Sequence, residues 1–360
     1  MNEVIWYKNA RLHGELVDIA VKDGKFAFVG KTESEGEDLG GLDVFPGLID
    51  IHCHGAMGYD VLGEDVTHIE DISVYLASNG ITTWYPTTGG SKEDVLRFLR
   101  VPLTGLKGAN MPGYHLEGPY ISKTALGAIA EESVKNPELS DFEGYDNVKL
   151  ITIAPELDGA LEYISKTSAK VALGHTSADY ETAIRAFEAG ADSLTHTFNA
   201  MTPLHHRQPG VIGAAIEKDA YVQVICDGVH IHKSVVIALY RIFGKKMMLI
   251  SDAVAGAGLG GGSFYEYYKQ GKYKRIIKDG VIRTENGNLA GSASNLMHGV
   301  KKAIEFGIPR EDAYYIASTS PATYMGINKG KIEVGYDADF IAVDQNDNLQ
   351  KVIIGGKIFK

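Results

Sequence analysis

The chain has 360 residues, with 46 acidic side chains against 35 basic ones and a formal net charge of −11. Its length fits one large α/β domain with an appendage or two ordinary domains, and 44% hydrophobic residues are typical of a globular protein rather than a disordered one. No apolar run approaches the roughly 18 residues of a membrane span, and the negative charge repels phosphodiester backbones. We therefore expect no membrane and no nucleic-acid partner.

The cysteine content and the first residues bear on the cellular compartment. Cys53 and Cys226 are too few for a disulfide framework. Residues 1–15 lack the basic segment and apolar core of a secretory signal. These features predict a cytoplasmic protein.

Both ends of the chain are predicted to form β-structure. Asp23-Gly24 is typical of a tight hairpin, and Gly355-Gly356 is a second turn. The β-prone runs lie at residues 4–12, 18–21, 26–29, 331–334, 339–343 and 352–354. We expect residues 1–45 and 330–360 to form one small β domain around a catalytic domain of residues 46–329.

Between these ends, eight short β-rich runs alternate with helix-like stretches. The runs span residues 47–54, 81–88, 110–119, 148–156, 169–176, 192–199, 220–230 and 246–253. The clearest helical stretch is 178–191, where apolar residues recur at helical spacing after Ser177 and Asp179. Eight βα units predict an α/β fold, the TIM (β/α)8 barrel, in which the C-terminal strand ends carry the chemistry.

Two histidines and an aspartate lie at the ends of the first and last predicted strands. His52 and His54 are two residues apart, so both imidazoles face one side and can bind one ion. Alone, such a pair is more often a strand cap than a metal site. Asp252 follows an apolar run, and its carboxylate is therefore expected at the barrel mouth rather than in bulk solvent.

Three further candidate ligands follow other strands. Glu117 precedes the Gly118-Pro119 turn, and His175 and His196 end neighbouring strands. Each alone could be a solvated or structural residue, but all six groups at the ends of five strands predict a metal site. Imidazole suits zinc or iron, and the set could hold one or two ions. A divalent ion activates water while a nearby carboxylate transfers its proton, which predicts metal-assisted hydrolysis.

Later segments offer groups for a substrate. Arg207, next to His205 and His206, could bind an anion such as phosphate, although a surface salt bridge would explain this arginine equally well. The glycine-rich stretch 256–262 lacks the Gly-Lys-Ser/Thr of a phosphate loop and is expected to be a mobile loop. The tyrosine-rich stretch 264–273 is expected to be an inserted hairpin.

Eight motifs together resemble a known family. They are residues 46–55, 115–119, 174–176, 195–201, 206–210, 227–230, 251–253 and 289–292. The first resembles the entry motif of the amidohydrolase superfamily. In order and approximate spacing, all of them resemble the family of N-acetylglucosamine-6-phosphate deacetylases over nearly the whole chain.

The resemblance implies a fold and a role for each site residue. The fold is the amidohydrolase type of TIM barrel with a small β-sandwich domain built from both termini. Glu117, His175 and His196 would hold the principal metal, with His52 and His54 available for a second. Asp252 would be the catalytic base and then the catalytic acid. The implied substrate-binding residues are Ala128, Ile129, Asn199, Ala200, Arg207, Asp227, His230, Leu289, Ala290 and Gly291. Family members are homodimers in which the arginine reaches the phosphate in a neighbouring subunit.

The sequence departs from the family pattern at one position. After the Glu117 motif the family usually has Gly-Ala or Gly-Thr followed by a histidine that contacts the substrate amide, whereas Gly127-Ala128 is followed here by Ile129. An isoleucine side chain cannot donate a hydrogen bond.

The implied activity is removal of the acetyl group from N-acetylglucosamine 6-phosphate, and three alternatives stay open. The substrate could have the galacto configuration. The enzyme could instead act on a cyclic amide or nucleobase, although such amidohydrolases often use a carboxylated lysine at the fourth strand, and residues 151–155 contain none. A non-catalytic phosphosugar-binding relative is the third alternative, and retention of all six metal and catalytic groups argues against it.

Overall fold

The computed structural model describes residues 4–33, 35–62, 67–101, 103–268 and 271–360. Both ends of the chain join one β-sheet, in which Phe340–Val343 pairs antiparallel with Asp43–Pro46. The strands of this sheet are Ile5–Leu12, Glu15–Lys22, Lys25–Gly30, Glu37–Asp38, Asp43–Pro46, Phe340–Val343, Leu349–Ile354 and Lys357–Ile358. The predicted β domain built from both ends is thus confirmed, while its limits at residues 45 and 330 stay a prediction.

In this sheet the structure confirms one turn predicted from the sequence and replaces one predicted strand with a turn. Asp23 and Gly24 have φ values of 52° and 75°, as the predicted hairpin turn requires. The prediction of a strand at residues 331–334 is wrong. The backbone N–H of Tyr336 donates to the carbonyl of Glu333 at 3.1 Å around Gly335, whose φ is 94°, so the chain turns there instead of extending.

The predicted barrel is confirmed. Eight parallel strands in the described part of the chain are each hydrogen-bonded to the next in sequence order. Barrel strands 1 to 8 are Leu48–Cys53, Ile81–Thr88, Tyr114–Glu117, Val148–Ile153, Lys170–Leu173, Ser193–Leu194, Tyr221–Ile225 and Met247–Ile250. Beyond strand 8 the backbone N–H of Asp252 donates to the carbonyl of His52 at 2.9 Å, and that of His54 donates to the carbonyl of Ala253 at 2.7 Å. The barrel therefore closes at its C-terminal end, between the segments that carry the candidate site.

Barrel strand 6 is shorter than predicted. The apolar and β-branched residues of 192–199 predict eight extended residues, but only Ser193–Leu194 is a regular strand. His196 and Phe198 have positive φ values of 25° and 76°, so the backbone leaves the strand direction immediately afterwards.

Helices cover the outside of the barrel. They span Thr67–Ser78, Lys92–Phe98, Ala160–Lys166, Tyr180–Ala189, Gly210–Glu217, Lys233–Phe243, Leu296–Glu305, Arg310–Ala317 and Thr319–Met325, with short 3₁₀ turns at Glu131–Ser133 and Gly244–Lys246. In the helix predicted at 178–191, Asp179 caps the first turn by accepting from the backbone N–H of Thr182 at 2.8 Å, and Gly190 ends it. Among the helices described, none is both long and apolar enough to span a bilayer.

An inserted antiparallel sheet follows barrel strand 8. Its strands are Gly262–Tyr268, Gly271–Lys278, Val281–Thr284 and Leu289–Ser292. Phe264 and Ile277 of this sheet belong to one apolar cluster with Val254, and Ala128 packs against that cluster. The predicted hairpin is thereby confirmed, although the side chains of Tyr267 and Tyr268 and the whole of residues 269–270 lie outside the described part of the chain. The inserted sheet packs against the loops at the barrel mouth.

Candidate metal centre and substrate cavity

Four imidazoles converge on the carboxylate of Glu117 at the end of barrel strand 3. Glu117 Oε1 lies 3.2 Å from His52 Nε2, 3.2 Å from His175 Nε2 and 2.9 Å from His196 Nε2. Its other oxygen, Oε2, lies 3.2 Å from His54 Nε2. Burial by itself would raise the pKa of Glu117, but the charges of His52 and His175 lower it well below its usual value. Glu117 is therefore an anion in contact with all four imidazoles.

Hydrogen bonds behind two of these imidazoles determine which nitrogen faces the centre. His175 Nδ1 lies 2.9 Å from the carbonyl of Ala125, and His52 Nδ1 lies 3.1 Å from Gln223 Oε1. Both partners are acceptors, so each Nδ1 donates a proton to its partner, and each Nε2 faces Glu117 and offers a lone pair there once the imidazole is neutral. His175 Nε2 and His196 Nε2 are only 3.0 Å apart. Lone pairs and a carboxylate this close repel one another unless a cation lies among them, so the residues fit a metal ion.

Asp252 lies next to the imidazoles of His52 and His54. Its Oδ1 lies 3.3 Å from His52 Nε2 and 3.3 Å from His54 Nε2. Ligand atoms of these three residues cluster together, as do those of Glu117, His175 and His196. The structure thus brings together all six groups that the strand ends predicted, in two adjoining sets of three.

Backbone strain accompanies these functional side chains. His175, His196 and Asp252 have φ values of 47°, 25° and 47°, in the left-handed region that residues with a Cβ rarely adopt. Gly127, with φ of 60°, lies against His175, and a Cβ at this glycine would approach the ring at 3.1 Å. Such strain costs on the order of 1–3 kcal/mol for each residue and persists where the surrounding structure imposes it. Here it turns the side chains at the strand ends inward over the barrel mouth.

A cavity of about 190 Å³ opens above this centre. Most of the predicted substrate-binding residues line it together with five of the six metal and catalytic groups, all except His52. The lining residues are His54, Asp60, Gly89, Glu117, Gly127, Ala128, Ile129, His175, His196, Asn199, Ala200, His230, Asp252, Val254, Glu266, Leu289, Ala290 and Gly291.

Two predicted substrate-binding residues do not line the cavity. Asp227 lies behind His230, whose Nδ1 is 2.7 Å from Asp227 Oδ2, and its other oxygen accepts from the backbone N–H of Val229 and that of His230. Arg207 lies on an exposed loop where its guanidinium contacts His206, and it borders a separate surface pocket with Ser177. Asp227 can therefore act by orienting His230, whereas Arg207 lies outside the cavity.

Four residues around the centre were not predicted. Gln223 supports His52, and its signal is a lone amide within the apolar strand Tyr221–Ile225. Asp50 accepts from the backbone N–H of His52 and that of Ser251, and it is likewise a lone carboxylate within an apolar strand. Asp60 and Glu266 line the cavity from segments that carried no recognised motif.

A (β/α)8 barrel with two sets of histidine and carboxylate ligands at its C-terminal mouth defines the class of metal-dependent hydrolases. Residues 44–359 match the family model described as "Amidohydrolase family". The chain therefore belongs to the amidohydrolase family, and the resemblance inferred from its motifs is confirmed.

Individual relatives are similar over most of their length. An N-acetylglucosamine-6-phosphate deacetylase from Vibrio furnissii is 35% identical over 92% of this chain and 86% of its own. An N-acetylgalactosamine-6-phosphate deacetylase from Escherichia coli O157:H7 is 31% identical over 87% of this chain and 86% of its own. The structure of a mutant N-acetyl-D-glucosamine-6-phosphate deacetylase from Mycobacterium smegmatis, in complex with N-acetyl-D-glucosamine-6-phosphate, superposes with a TM-score of 0.91 at 26% identity, covering 99% of both chains.

Replacing Glu117 by glutamine is expected to deplete the protein of metal. A neutral amide oxygen is a weaker ligand than a carboxylate, and it cannot balance the charge of a cation. Elemental analysis after identical dialysis against a chelator measures the effect, with Glu132→Gln, an exposed glutamate, as control. Equal metal content in Glu117→Gln and wild type would remove Glu117 from the ligand set.

Proposed function

We propose that the protein is a metal-dependent deacetylase that hydrolyses the acetamido group of N-acetylglucosamine 6-phosphate to glucosamine 6-phosphate and acetate. The observation that carries this proposal is the position of Asp252, whose carboxylate borders both His52 and His54 in the cavity that the predicted sugar-binding residues line. The names of the deacetylase relatives support the same reaction and the same substrate class.

The proposed metal ligands are Glu117, His175 and His196 for the principal ion, with His52 and His54 for a second. Imidazole-rich sites favour zinc or iron over magnesium or calcium. When bound, a divalent ion polarises the amide carbonyl and lowers the pKa of water.

Asp252 is the proposed proton carrier. Burial alone would raise the pKa of this carboxyl group, but the charge of His52 and a hydrogen bond with His54 lower it below the ordinary value. The carboxylate is then ionised near neutral pH and can accept a proton from the attacking water. It returns that proton to the amide nitrogen as the C–N bond breaks, so that the amine leaves uncharged.

The proposed sugar side of the cavity follows barrel strands 6 and 7. Asn199, Ala200 and His230 line it, and Asp227 holds the ring of His230 in place. A neutral or cationic imidazole and backbone amides in this region suit the hydroxyl and phosphate groups of a sugar phosphate. Leu289, Ala290 and Gly291 line the adjoining wall from the inserted sheet.

Arg207 supports a proposal about assembly. It lies outside the cavity of its own subunit, as a residue that binds a ligand in a neighbouring copy must. We propose a homodimer in which Arg207 binds the phosphate in the partner.

The cysteines bear on location. Cys53 and Cys226 are both free thiols, which agrees with a cytoplasmic location.

The alternatives fit the site less well. A cyclic amidase or deaminase would often need a carboxylated lysine after barrel strand 4, where residues 151–155 have none. A purely phosphosugar-binding protein would not need the six converging groups. The galacto-configured substrate is favoured by one observation, the similarity to the Escherichia coli O157:H7 relative, and it is compared directly with the gluco-configured substrate below.

Asp252→Asn is expected to lower kcat by about 100- to 10,000-fold, because an amide has the same shape but cannot accept the proton. Metal content, measured by elemental analysis, is expected to stay within about twofold of wild type, and substrate KM is expected to change little. Retention of more than about a tenth of wild-type kcat would show that another group is the base.

Arg207→Ala is expected to raise KM about tenfold or more for N-acetylglucosamine 6-phosphate and to leave the unphosphorylated sugar unaffected, because charge-assisted hydrogen bonds are worth roughly 1.5 to 3 kcal/mol. Mixing this variant with Asp252→Asn adds a test of the dimer. Heterodimers would pair an intact Asp252 site with an intact Arg207 from the other subunit, so part of the activity should return. Equal losses on both sugars, or no recovery on mixing, would contradict the proposed role.

Ile129→His is expected to raise kcat/KM on N-acetylglucosamine 6-phosphate by about tenfold, because the new side chain can donate a hydrogen bond to the amide carbonyl. Ile129 lines the cavity beside Gly89, so a donor at this position faces the reacting group. Steady-state kinetics on gluco- and galacto-configured substrates check this prediction. An unchanged or lower kcat/KM on both sugars would refute the account of a missing donor.

A further inference from the structure

The cavity has two opposite sides around the metal centre. In a closed eight-stranded barrel, the loops after strands 1 to 3 face the loops after strands 5 to 7. Asn199, Ala200 and His230 follow strands 6 and 7, whereas Gly89 and Ile129 follow strands 2 and 3. Both sides reach the same centre, so a ligand whose reacting group lies there extends in two directions.

The proposed reaction assigns one direction to each half of the substrate. The amide carbonyl must lie at the metal centre beside Asp252, and the sugar phosphate extends toward Asn199 and His230. The acyl group on the other side of the scissile C–N bond then faces Gly89 and Ile129. This assignment rests on the proposed function.

The acyl side is more polar than an acetyl methyl group requires. Asp60 and Glu266 line the same cavity as Ile129, and Asp60 follows barrel strand 1, on the side of the barrel that carries Gly89 and Ile129. Glu266 lies on the inserted strand Gly262–Tyr268, and its Oε2 is 2.5 Å from Arg275 Nη2. Both side chains of this ion pair are about 95% buried. Arg275 Nη2 also approaches the carbonyl of Ala128 at 3.5 Å, so the pair lies against the loop that carries Ile129.

Burying these charges is costly. Burial raises the pKa of Glu266 to about 7 in spite of Arg275, and it raises the pKa of Asp60 to about 6. Among the described residues, the buried Arg275 Nε has no hydrogen-bond partner. An apolar lining would serve a methyl group without this cost, so a polar function on the acyl side explains the arrangement better.

We propose that Glu266 is a specificity-determining residue that accepts a hydrogen bond from a donor on the acyl group, and that the enzyme thereby favours hydroxyacyl over alkylacyl amides of the amino-sugar phosphate. Arg275 holds the carboxylate in position through Oε2, and Oε1 is the proposed acceptor for the ligand. Ile129 and Gly89 contact the carbon atoms of the acyl chain. The same carboxylates disfavour an acyl group that carries a negative charge.

The test compares two acyl groups of nearly equal size, glycolyl and propionyl, which differ by a hydroxyl in place of a methyl group. The kcat/KM of the wild-type holoenzyme is measured on the N-glycolyl, N-propionyl and N-acetyl derivatives of glucosamine 6-phosphate. In Glu266→Gln the kcat/KM on the N-glycolyl derivative, divided by that on the N-propionyl derivative, is expected to fall by about tenfold, because a neutral amide accepts a hydrogen bond more weakly than a carboxylate. The ratio is expected to stay unchanged in the control Glu132→Gln, whose carboxylate contacts Tyr273 on the same hairpin but lies outside the cavity.

A second variant covers the case in which Glu266→Gln does not fold around an unpaired Arg275. The double substitution Glu266→Leu with Arg275→Met removes both charges together, which buried ion pairs tolerate better than loss of one partner. It should lower the same ratio by at least as much. The proposal is overturned if either folded variant still hydrolyses the acetyl derivative and its glycolyl-to-propionyl ratio of kcat/KM stays within twofold of wild type. If the wild type hydrolyses none of the three amides, the proposed deacetylase function itself fails.

Discussion

Glu117 is a buried carboxylate among four imidazoles, and the fold can keep its charge away from water only where positive charge, on the imidazoles or on a bound cation, balances it. Each of these imidazoles comes from the end of a barrel strand, so the strands must end at the same level for the contacts to form. The hydrogen bonds that join the segment around His52 to the segment around Asp252 close the barrel at that level. A change in strand register would therefore disrupt the barrel closure and the ligand geometry together.

The same centre explains why the fold tolerates unfavourable backbone conformations. Positive φ values at His175, His196 and Asp252 cost free energy, and a residue at the end of a strand has no intrinsic reason to adopt them. The strain turns three side chains inward, where they face the shared glutamate. Packing of the loops beneath the inserted sheet can supply the stabilisation, since Val254, Phe264 and Ala290 form one buried cluster next to Asp252.

The inserted sheet adds chemistry as well as cover. Its first strand brings Glu266 to the cavity, and its second strand supplies the arginine that neutralises part of that charge. The cavity thus combines a side that suits a sugar phosphate with a side that is acidic and partly apolar. A substrate bound across the centre would meet different chemistry at its two ends, which gives the enzyme separate means to select the sugar and the acyl group.

The sequence by itself determined the barrel, the β-structure at both ends and the six groups at the strand ends. These features depend on local patterns: alternation of strands and helices, the spacing of His52 and His54 on one face, and carboxylates that interrupt apolar runs. Local patterns were insufficient where the outcome depends on distant contacts. Strand 6 ends early because its residues turn toward the centre. Glu266 reaches the cavity only because the inserted sheet folds back over the loop that carries Ala128, which lies 138 residues earlier in the chain. Only the tertiary structure could place Arg207 outside the cavity, because which face of the barrel a loop borders depends on packing between elements far apart in the chain.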